Sequence, residues 1–254
     1  GHDHYYIAWD NGNTVWMDSG ENSEKVGVMD VYLKSYMKSG KKRFSWEADM
    51  RFVDTINVPE DIAIASKIKE YDKFLTAELD IVIGKTNTEL DSRRNTVRKG
   101  EAAIGNLIAD AMRNGVDADI GFANGGGIRA KKIYAPGTSI TRRDMLTEMP
   151  FGNVVVKLRL TGAQIWDALE NGVSQVENNA GRFPQVSGVS FTYNPKAQAG
   201  SRVVSAKIGG QPLNKGRTYT VATNNYAAGG GDGYKVSKKG KVLIDASGAT
   251  LLAS

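Results

Sequence analysis

The sequence predicts an α+β protein of mixed α/β character, in which a strand-rich beginning precedes a longer region of alternating helices and strands. Three observations predict this class. Residues 1–58 alternate short apolar runs with turns. Residues 59–79 carry apolar side chains at helical spacing, and residues 80–254 alternate between helical and strand periods. These segments are the predicted divisions of the chain.

The composition is that of a soluble globular protein. The 254 residues are 41% hydrophobic and 24% charged, as in a soluble globular chain with material for a core. No apolar run approaches the length of a membrane span, and no basic and apolar leader opens the chain. Cysteine is absent, which excludes disulfides. The net charge of +5 favours anionic ligands but is too modest to indicate nucleic-acid binding.

The first segment, residues 1–58, is predicted to form hairpins. An Asn11-Gly12 turn separates two strand-like runs, and the basic turn 39–43 splits VGVMDVYLK from FSWEADMRFVD. His2 and His4 are the chain's two histidines. They are interpreted either as a solvated or tag-derived end or as part of a metal site whose other ligands lie elsewhere.

The second segment, residues 59–79, is predicted to be an amphipathic helix that begins at Pro59-Glu60. Ile64, Ile68, Tyr71 and Leu75 recur at helical spacing. The helix either connects two units or packs on one of them, and periodicity does not separate these alternatives.

The third segment predicts a helix in VRKGEAAIGNLIADAMRNG that ends with a left-handed Gly115. Its predicted apolar face consists of Ile104, Leu107, Ile108, Ala111 and Met112. Thr161 and Gln164 form the pattern of a capping box at the start of a second helix. The predicted strands are ADIGFA, VVVKLRL, GVSFTYN, RVVSAKI and YTVATNN.

Two glycine-rich loops follow predicted strands, NGGGIRA at 124–130 and AAGGGDGY at 227–234. Consecutive glycines let a backbone come close to a ligand, although a bare glycine run is more often a tight turn. Arg129 follows the first run and suits bidentate capture of phosphate or carboxylate. Asp232 ends the second run and could accept from sugar hydroxyls. Each feature alone is weak.

Five ordered motifs resemble one family: GEAAIGNLIADAM, NGGGIR, MPFGN, FPQVSGVSFTY and NNYAAGGGDGY. Over roughly residues 80–240 the chain resembles the C-terminal substrate-binding domain of the 5′-nucleotidase/UDP-sugar hydrolase family. GHDHYY and DSGENSEKVGVMDV resemble the end of that family's N-terminal calcineurin-like metallophosphatase domain. The helix at 59–79 falls where the family has its interdomain helix.

The resemblance implies an aromatic pair that sandwiches the base. Phe151 and Tyr226 match this pair, and Tyr226 stands where many relatives have Phe. Asp232 matches the residue that bonds the ribose hydroxyls. From the residues alone, a core position is the favoured interpretation of Phe151, and Tyr226 could be an interface or surface ring.

The resemblance also implies polar positions around the nucleotide. Arg98, Asn124 and Arg129 match the cluster near the phosphate, and Asn153 and Gly181 match positions in the base pocket. The stretch DSRRNTVRKGE that contains Arg98 would otherwise be interpreted as a solvated basic face.

The family implies two divalent metal ions (Zn, Mn, Co or Mg) that activate water for attack on phosphorus. His2 and His4 match metal ligands, while the Asp-x-His, Gly-Asp and Asn-His-Glu segments that supply the remaining ligands are missing. We therefore expect a fragment of a phosphoric monoester hydrolase, lacking its N-terminal catalytic segment and with no catalytic residue of its own. It would hold no metal stably. It would bind nucleosides, nucleotides or UDP-sugars without hydrolysing them.

Two other functions compete with this expectation. A stand-alone nucleotide-binding or adhesion module would lack the missing motifs upstream in its gene. A basic nucleic-acid binder, suggested by the pI near 9.2, would bind oligonucleotides with strong salt dependence and show little preference for mononucleotides. The resemblance implies no specific nucleic acid, no transmembrane segment, and a periplasmic, cell-surface or secreted location.

Overall fold

The computed structural model describes residues 5–245. The chain divides into two compact units, one up to Lys73 and one from Phe74 onward, and each is described by itself. Helices and strands are mixed, which confirms the predicted fold class.

The first unit begins with the predicted hairpin. Strands β1 (Tyr6–Asp10) and β2 (Val15–Ser19) pair antiparallel across a four-residue loop, residues 11–14, that contains the predicted Asn11-Gly12 turn. Gly12 has a φ of 81°, a left-handed conformation that glycine adopts without cost. The Asp10 carboxylate accepts from the Gly12 N–H at 2.6 Å, so the turn residues fix the loop locally.

The next two strands are longer than predicted. β3 (Lys25–Lys38) and β4 (Lys41–Asp54) pair along 14 residues each. Their turn is Ser39-Gly40 alone, with φ of 51° and 73°. The predicted five-residue basic turn was too wide, because a two-residue turn with positive φ at both positions matches the twist of a hairpin.

Helix α1 (Ile62–Leu79) begins three residues after Pro59. The Asp61 carboxylate accepts from the N–H groups of Ala63 at 2.9 Å and Ile64 at 3.0 Å, and so caps the helix. None of the helix's residues is buried, and the division between the units lies within it. Its role as a connector stays a prediction.

Within residues 5–245, no helix is both long and apolar enough to cross a membrane.

Among the described residues, the second unit contains the remaining α-helices and strands. They are β5 (Val82–Lys85), β6 (Leu90–Asp91), α2 (Arg94–Val97), α3 (Ala103–Gly115), β7 (Ile120–Asn124), β8 (Ile133–Tyr134), β9 (Ser139–Thr141), α4 (Arg142–Glu148), β10 (Val155–Thr161), α5 (Gly162–Val173), β11 (Pro184–Ser187), β12 (Val189–Tyr193), β13 (Val203–Ile208), β14 (Gln211–Pro212), β15 (Thr218–Asn224), α6 (Asn225–Ala228) and β16 (Lys241–Ile244).

A five-stranded sheet organises this unit, with the strand order β11-β7-β15-β10-β16. β7 and β15 run parallel, whereas the other neighbouring pairs in the sheet are antiparallel. A three-stranded sheet, β12-β13-β14, and the pairs β5-β9 and β6-β8 complete the strands of the unit.

The sheet separates two hydrophobic clusters, because successive side chains of a strand point to opposite faces. On β15, Val221 belongs to the cluster that contains α5, and Ala222 belongs to the cluster that contains α3. On β7, Phe122 belongs to the cluster that contains α5, and Ala123 belongs to the cluster that contains α3. Helix α5 therefore packs on one face of the sheet and α3 on the other.

The α3 apolar face is narrower than predicted. Ile104, Ile108 and Met112 are buried, but Leu107 is 47% exposed. The helix buries a stripe with a spacing of four residues, and Leu107 lies beside it. Gly115 is the last residue of α3, but Asp117 takes the left-handed conformation, with φ of 49°.

The predicted capping box at the start of α5 is confirmed. The Gln164 N–H donates to the Thr161 hydroxyl at 3.2 Å, and the Thr161 N–H donates to the Gln164 side chain at 2.8 Å.

Candidate functional site

The two glycine-rich loops meet because β7 and β15 are parallel. Parallel neighbours end at the same edge of a sheet, and these strands end in Asn124 and Asn224. The Asn224 Nδ2 donates to the Asn124 Oδ1 at 2.9 Å. The Asn224 Oδ1 accepts from the Ala227 N–H at 2.8 Å, which caps the short helix α6. Both asparagines are buried, so their amides are held in place.

Asp232 lies at the end of this chain of amides. The Asn124 Nδ2 donates to Asp232 Oδ2 at 2.7 Å. The Tyr226 hydroxyl donates to Asp232 Oδ1 at 3.1 Å and accepts from the Asp232 N–H at 3.2 Å. Asp232 is left-handed, with φ of 50°, and its carbonyl accepts from the Asn171 Nδ2 at 3.2 Å. These contacts fix the direction of the carboxylate.

Burial and the nearby Asp232 charge both raise the pKa of Tyr226. A tyrosine hydroxyl carries its proton at neutral pH, so it can donate the hydrogen bond to Asp232.

Glycine is required where the loops come closest. The Gly126 N–H donates to the Gly181 carbonyl at 2.7 Å. A Cβ at Gly181 would lie 3.0 Å from the Gly126 Cα and 3.1 Å from Asp232 Oδ2. A Cβ at Gly231 would lie 2.5 Å from the Tyr226 ring. Gly181 therefore packs against both glycine-rich loops, and the second loop packs against the Tyr226 ring.

Arg98 is half-buried beside this cluster. One of its terminal nitrogens donates to the Asn179 carbonyl at 3.3 Å, and among the described residues its Nε has no hydrogen-bond partner. Burial lowers the pKa of Arg98 most, and the positive charges of Arg94 and Arg129 lower it further, while Asp232 opposes them. Because an anion would relieve this repulsion between guanidinium groups, the region favours a negatively charged ligand.

Phe151 lies on the surface and is 56% exposed, so the interpretation as a core residue is wrong. The Arg129 guanidinium lies 5.4 Å from the centre of its ring. The Arg129 N–H donates to the Glu148 carbonyl at 2.8 Å, and the Ala130 N–H donates to the Glu148 carboxylate at 3.2 Å. Glu148 is fully buried and therefore anchors the Arg129 loop to α4.

The structure brings four of the predicted residues into direct contact: Asn124, Gly181, Tyr226 and Asp232. Half-buried Asn153 lines a small pocket together with Asn124 and Asn224.

Phe151 and Tyr226 make no ring–ring contact with each other within residues 5–245. Both rings are nevertheless exposed, Tyr226 to 48%.

The predicted metal ligands His2 and His4 lie outside the described residues. Within residues 5–245, no group of three or more His, Cys, Asp or Glu side chains is placed to hold a metal ion.

Sequence reasoning missed four residues that support the site: Arg94, Glu148, Asn171 and Asn224. An asparagine between a strand and a short helix is typical of an N-cap, and this pattern could have identified Asn224. Asn171 and Glu148 lie within or at the end of helices and contact residues 61 and 18 positions away, so no local pattern indicates them.

Comparison with known proteins places the chain in a family. Residues 82–239 match the family model described as "5'-nucleotidase, C-terminal domain". The trifunctional nucleotide phosphoesterase YfkN of Bacillus subtilis is 41% identical over 180 residues, which cover 66% of this chain and 12% of the relative. The UshA protein of Escherichia coli is 35% identical over 196 residues, which cover 76% of this chain and 34% of the relative.

Two solved structures share the fold. A 5'-nucleotidase precursor from Thermus thermophilus, 32% identical, matches 98% of this chain and 50% of its own with a TM-score of 0.69. A Staphylococcus aureus putative 5'-nucleotidase, solved with alpha-ketoglutarate and 22% identical, matches 99% of this chain and 50% of its own with a TM-score of 0.75. The chain thus spans about half of these proteins or less. It belongs to the 5'-nucleotidase C-terminal domain family.

Proposed function

We propose that this chain binds nucleosides, nucleotides or UDP-sugars and is the substrate-binding part of a nucleotide phosphohydrolase. The observation that supports this most is the Asp232 carboxylate, held between Asn124 and Tyr226 at the edge of the sheet. A carboxylate fixed in this way is a directed acceptor for sugar hydroxyls. The chain's relative YfkN is a trifunctional nucleotide phosphoesterase. Its relative UshA belongs to the same family.

The exposed rings of Phe151 and Tyr226 would hold the base. Every nucleobase has a π face, and stacking on an aromatic side chain contributes about 1–3 kcal/mol per base in proteins that bind single strands. Stacking makes few demands on the identity of the base. Asn153 and Gly181, which lie beside the amide chain and the carboxylate, would border the base pocket.

The guanidinium groups would hold the phosphate. Arg98 and Arg129 are close enough for their charges to interact, and Arg98 lacks a partner for its Nε among the described residues. Arginine presents several donors in a fixed plane, which suits the oxygens of a phosphate. We assign Asn124 to the same end because it matches the polar cluster that the family has near the phosphate.

We propose that hydrolysis is carried out by the whole phosphohydrolase, of which this chain is one part. Two divalent ions (Zn, Mn, Co or Mg), with His2 and His4 among their ligands, would supply the activated water. In this assignment residues 1–58 belong to a metallophosphatase domain, residues 59–79 form a connector, and residues 80–254 form the substrate-binding domain. We also propose a periplasmic, cell-surface or secreted location, which is supported by the Thermus relative being a precursor.

Calorimetric titration of the purified chain with adenosine and AMP tests the proposal. We expect both ligands to bind, and we expect Asp232→Ala and Phe151→Ala each to weaken binding about tenfold. Phe44→Ala is the matched control, because Phe44 is also an exposed ring, 66% accessible, with the cation of Lys42 at 5.5 Å. Unchanged affinity in both site variants would contradict the placement of the pocket.

Two further measurements separate the alternatives. Phosphate release from AMP by this chain, with added Zn, Mn, Co or Mg, would contradict the assignment of binding without hydrolysis. Tight, strongly salt-dependent binding of a single-stranded oligonucleotide that AMP does not displace would favour a nucleic-acid binder instead.

A further inference from the structure

The tip of the β3-β4 hairpin, residues 36–44, concentrates positive charge. Four cations lie within it: Lys38, Lys41, Lys42 and Arg43. Residues 31–46 contain no acidic side chain, and within residues 5–245 none of the four cations forms an ion pair. The next cation down the hairpin, Lys34, is by contrast paired with Glu47 at 2.7 Å. The tip therefore carries an uncompensated charge.

We propose that this tip binds an anionic lipid membrane surface. The inference goes beyond the proposed function and does not depend on nucleotide binding.

The register of the hairpin makes one face of the tip basic. In an antiparallel pair, side chains directly opposite each other lie on the same face of the sheet. Lys38 is opposite Lys41, and Tyr36 is opposite Arg43. Three of the four cations therefore share this face.

The other face of the tip is apolar. It carries Leu33 and Met37 of β3 together with Phe44 of β4. Leu33 is 74% and Met37 is 67% exposed. The fourth cation, Lys42, lies on this face with its ammonium group 5.5 Å from the centre of the Phe44 ring. Exposed apolar side chains thus lie next to all of the charge.

The first hairpin covers this apolar face only near its base. There, the rings of Tyr6 and Phe52 lie 5.5 Å apart, and the Met17 side chain packs against Gly27. Strands β1 and β2 have five residues each, whereas β3 and β4 have 14. The apolar face of the tip consequently stays open among the described residues.

An end-on approach brings all four cations to the membrane together. They lie in the last three cross-strand pairs before the turn, which span about 7 Å along the strands. This length is within a Debye length of about 8 Å at physiological ionic strength, so all four interact with the surface charge.

The apolar side chains favour a membrane over a soluble polyanion. A polyanion would pair with the cations and leave Met37 and Phe44 in water. A bilayer offers anionic headgroups and, a few ångströms deeper, an apolar region, and both contribute to the binding of an amphipathic segment. Lysine stems can follow the apolar side chains while the ammonium groups stay at the headgroups.

Sedimentation of the full chain with vesicles tests the proposal, using phosphatidylcholine vesicles with and without phosphatidylglycerol. We expect binding to the phosphatidylglycerol vesicles alone, and we expect high NaCl to weaken it. Lys41→Gln/Arg43→Gln should weaken binding about twentyfold, since each cation near an anionic surface contributes about fivefold. Lys196→Gln/Lys207→Gln removes two exposed cations from the second unit and should bind as the wild type does.

A second pair of variants tests the apolar side chains at constant net charge. Phe44→Ser should weaken binding to the phosphatidylglycerol vesicles about fivefold, because the ring no longer enters the interface. Val204→Ser, which replaces an exposed apolar side chain of β13, should leave binding unchanged.

Failure of the wild type to bind phosphatidylglycerol vesicles would overturn the inference, as would equal losses in the two double variants. Equally tight binding of soluble polyphosphate that Phe44→Ser does not weaken would indicate a polyanion instead. Vesicle binding that depends on Phe44 but not on Lys41 and Arg43 would indicate an apolar face that packs on the catalytic segment. Dimerisation without vesicles that Phe44→Ser abolishes would indicate a second copy as the occupant.

Discussion

Replacing Asn124 by alanine should destabilise the unit that contains the site. The side chain accepts from the Asn224 amide at 2.9 Å and donates to Asp232 at 2.7 Å. Asn124 and Asn224 are each 3% exposed, so the variant leaves a buried amide without its acceptor, which costs about 1–3 kcal/mol. Loss of the hydrogen bond to the partly buried carboxylate adds about 1.5 kcal/mol. We expect the free energy of unfolding to fall by about 3 kcal/mol.

Urea denaturation followed by far-UV circular dichroism measures this loss. Hydrogen exchange of residues 120–124 and 218–224, which form β7 and β15, assigns the transition to the correct unit. Asn178→Ala is the control, because Asn178 is exposed and its side chain makes no hydrogen bond within the described part of the chain. A loss below about 0.5 kcal/mol in Asn124→Ala, equal to the control, would refute the reasoning.

Two further predictions concern the aromatic ring and acid stability. Gly231→Ala should weaken adenosine binding about tenfold by displacing the Tyr226 ring, which a Cβ would approach to 2.5 Å; Gly84→Ala, with nothing within 4 Å, should not. Calorimetric titration checks both, and equal affinities would contradict the role of the ring. The Arg202 guanidinium lowers the pKa of Glu177 from 4.5 to about 2, so this pair's contribution to stability should be complete above pH 4.5 and decline towards pH 2. The difference in melting temperature between the wild type and Glu177→Gln should therefore shrink over that range, and a constant difference would contradict it.

The features that sequence predicted best depend on residues close together in the chain. The Asn11-Gly12 turn and the Thr161–Gln164 capping box were both confirmed, because their geometry depends on at most four consecutive residues. The strands that precede the two glycine loops were also found, since each is a short run rich in apolar or β-branched residues that ends at a turn signal. The family could be predicted from five motifs in their order along the chain, because these motifs are recognised without knowing how the strands are arranged in the sheet.

The contacts within the site could not be predicted in this way. Asn124 and Asp232 are 108 positions apart, and their contact depends on which strands become neighbours in the sheet. The hydrogen bond from Tyr226 spans six positions, but it requires the left-handed conformation of Asp232, which side-chain periodicity does not indicate. The exposure of individual side chains could not be predicted for the same reason. Leu107 belongs to the predicted apolar face of α3, yet it is 47% exposed.

The parallel pair β7-β15 has a consequence for binding. Each strand delivers one asparagine to the same edge, and the donors then follow one direction: the Ala227 N–H to Asn224, the Asn224 amide to Asn124, and the Asn124 amide to Asp232. The series of donors ends at a carboxylate, which only accepts hydrogen bonds when ionised. Rotating either asparagine amide by 180° would therefore break two hydrogen bonds at once. The direction of Asp232 is therefore fixed in the folded chain. A ligand that uses this carboxylate does not have to order it, and the ordering cost that usually opposes binding is correspondingly smaller.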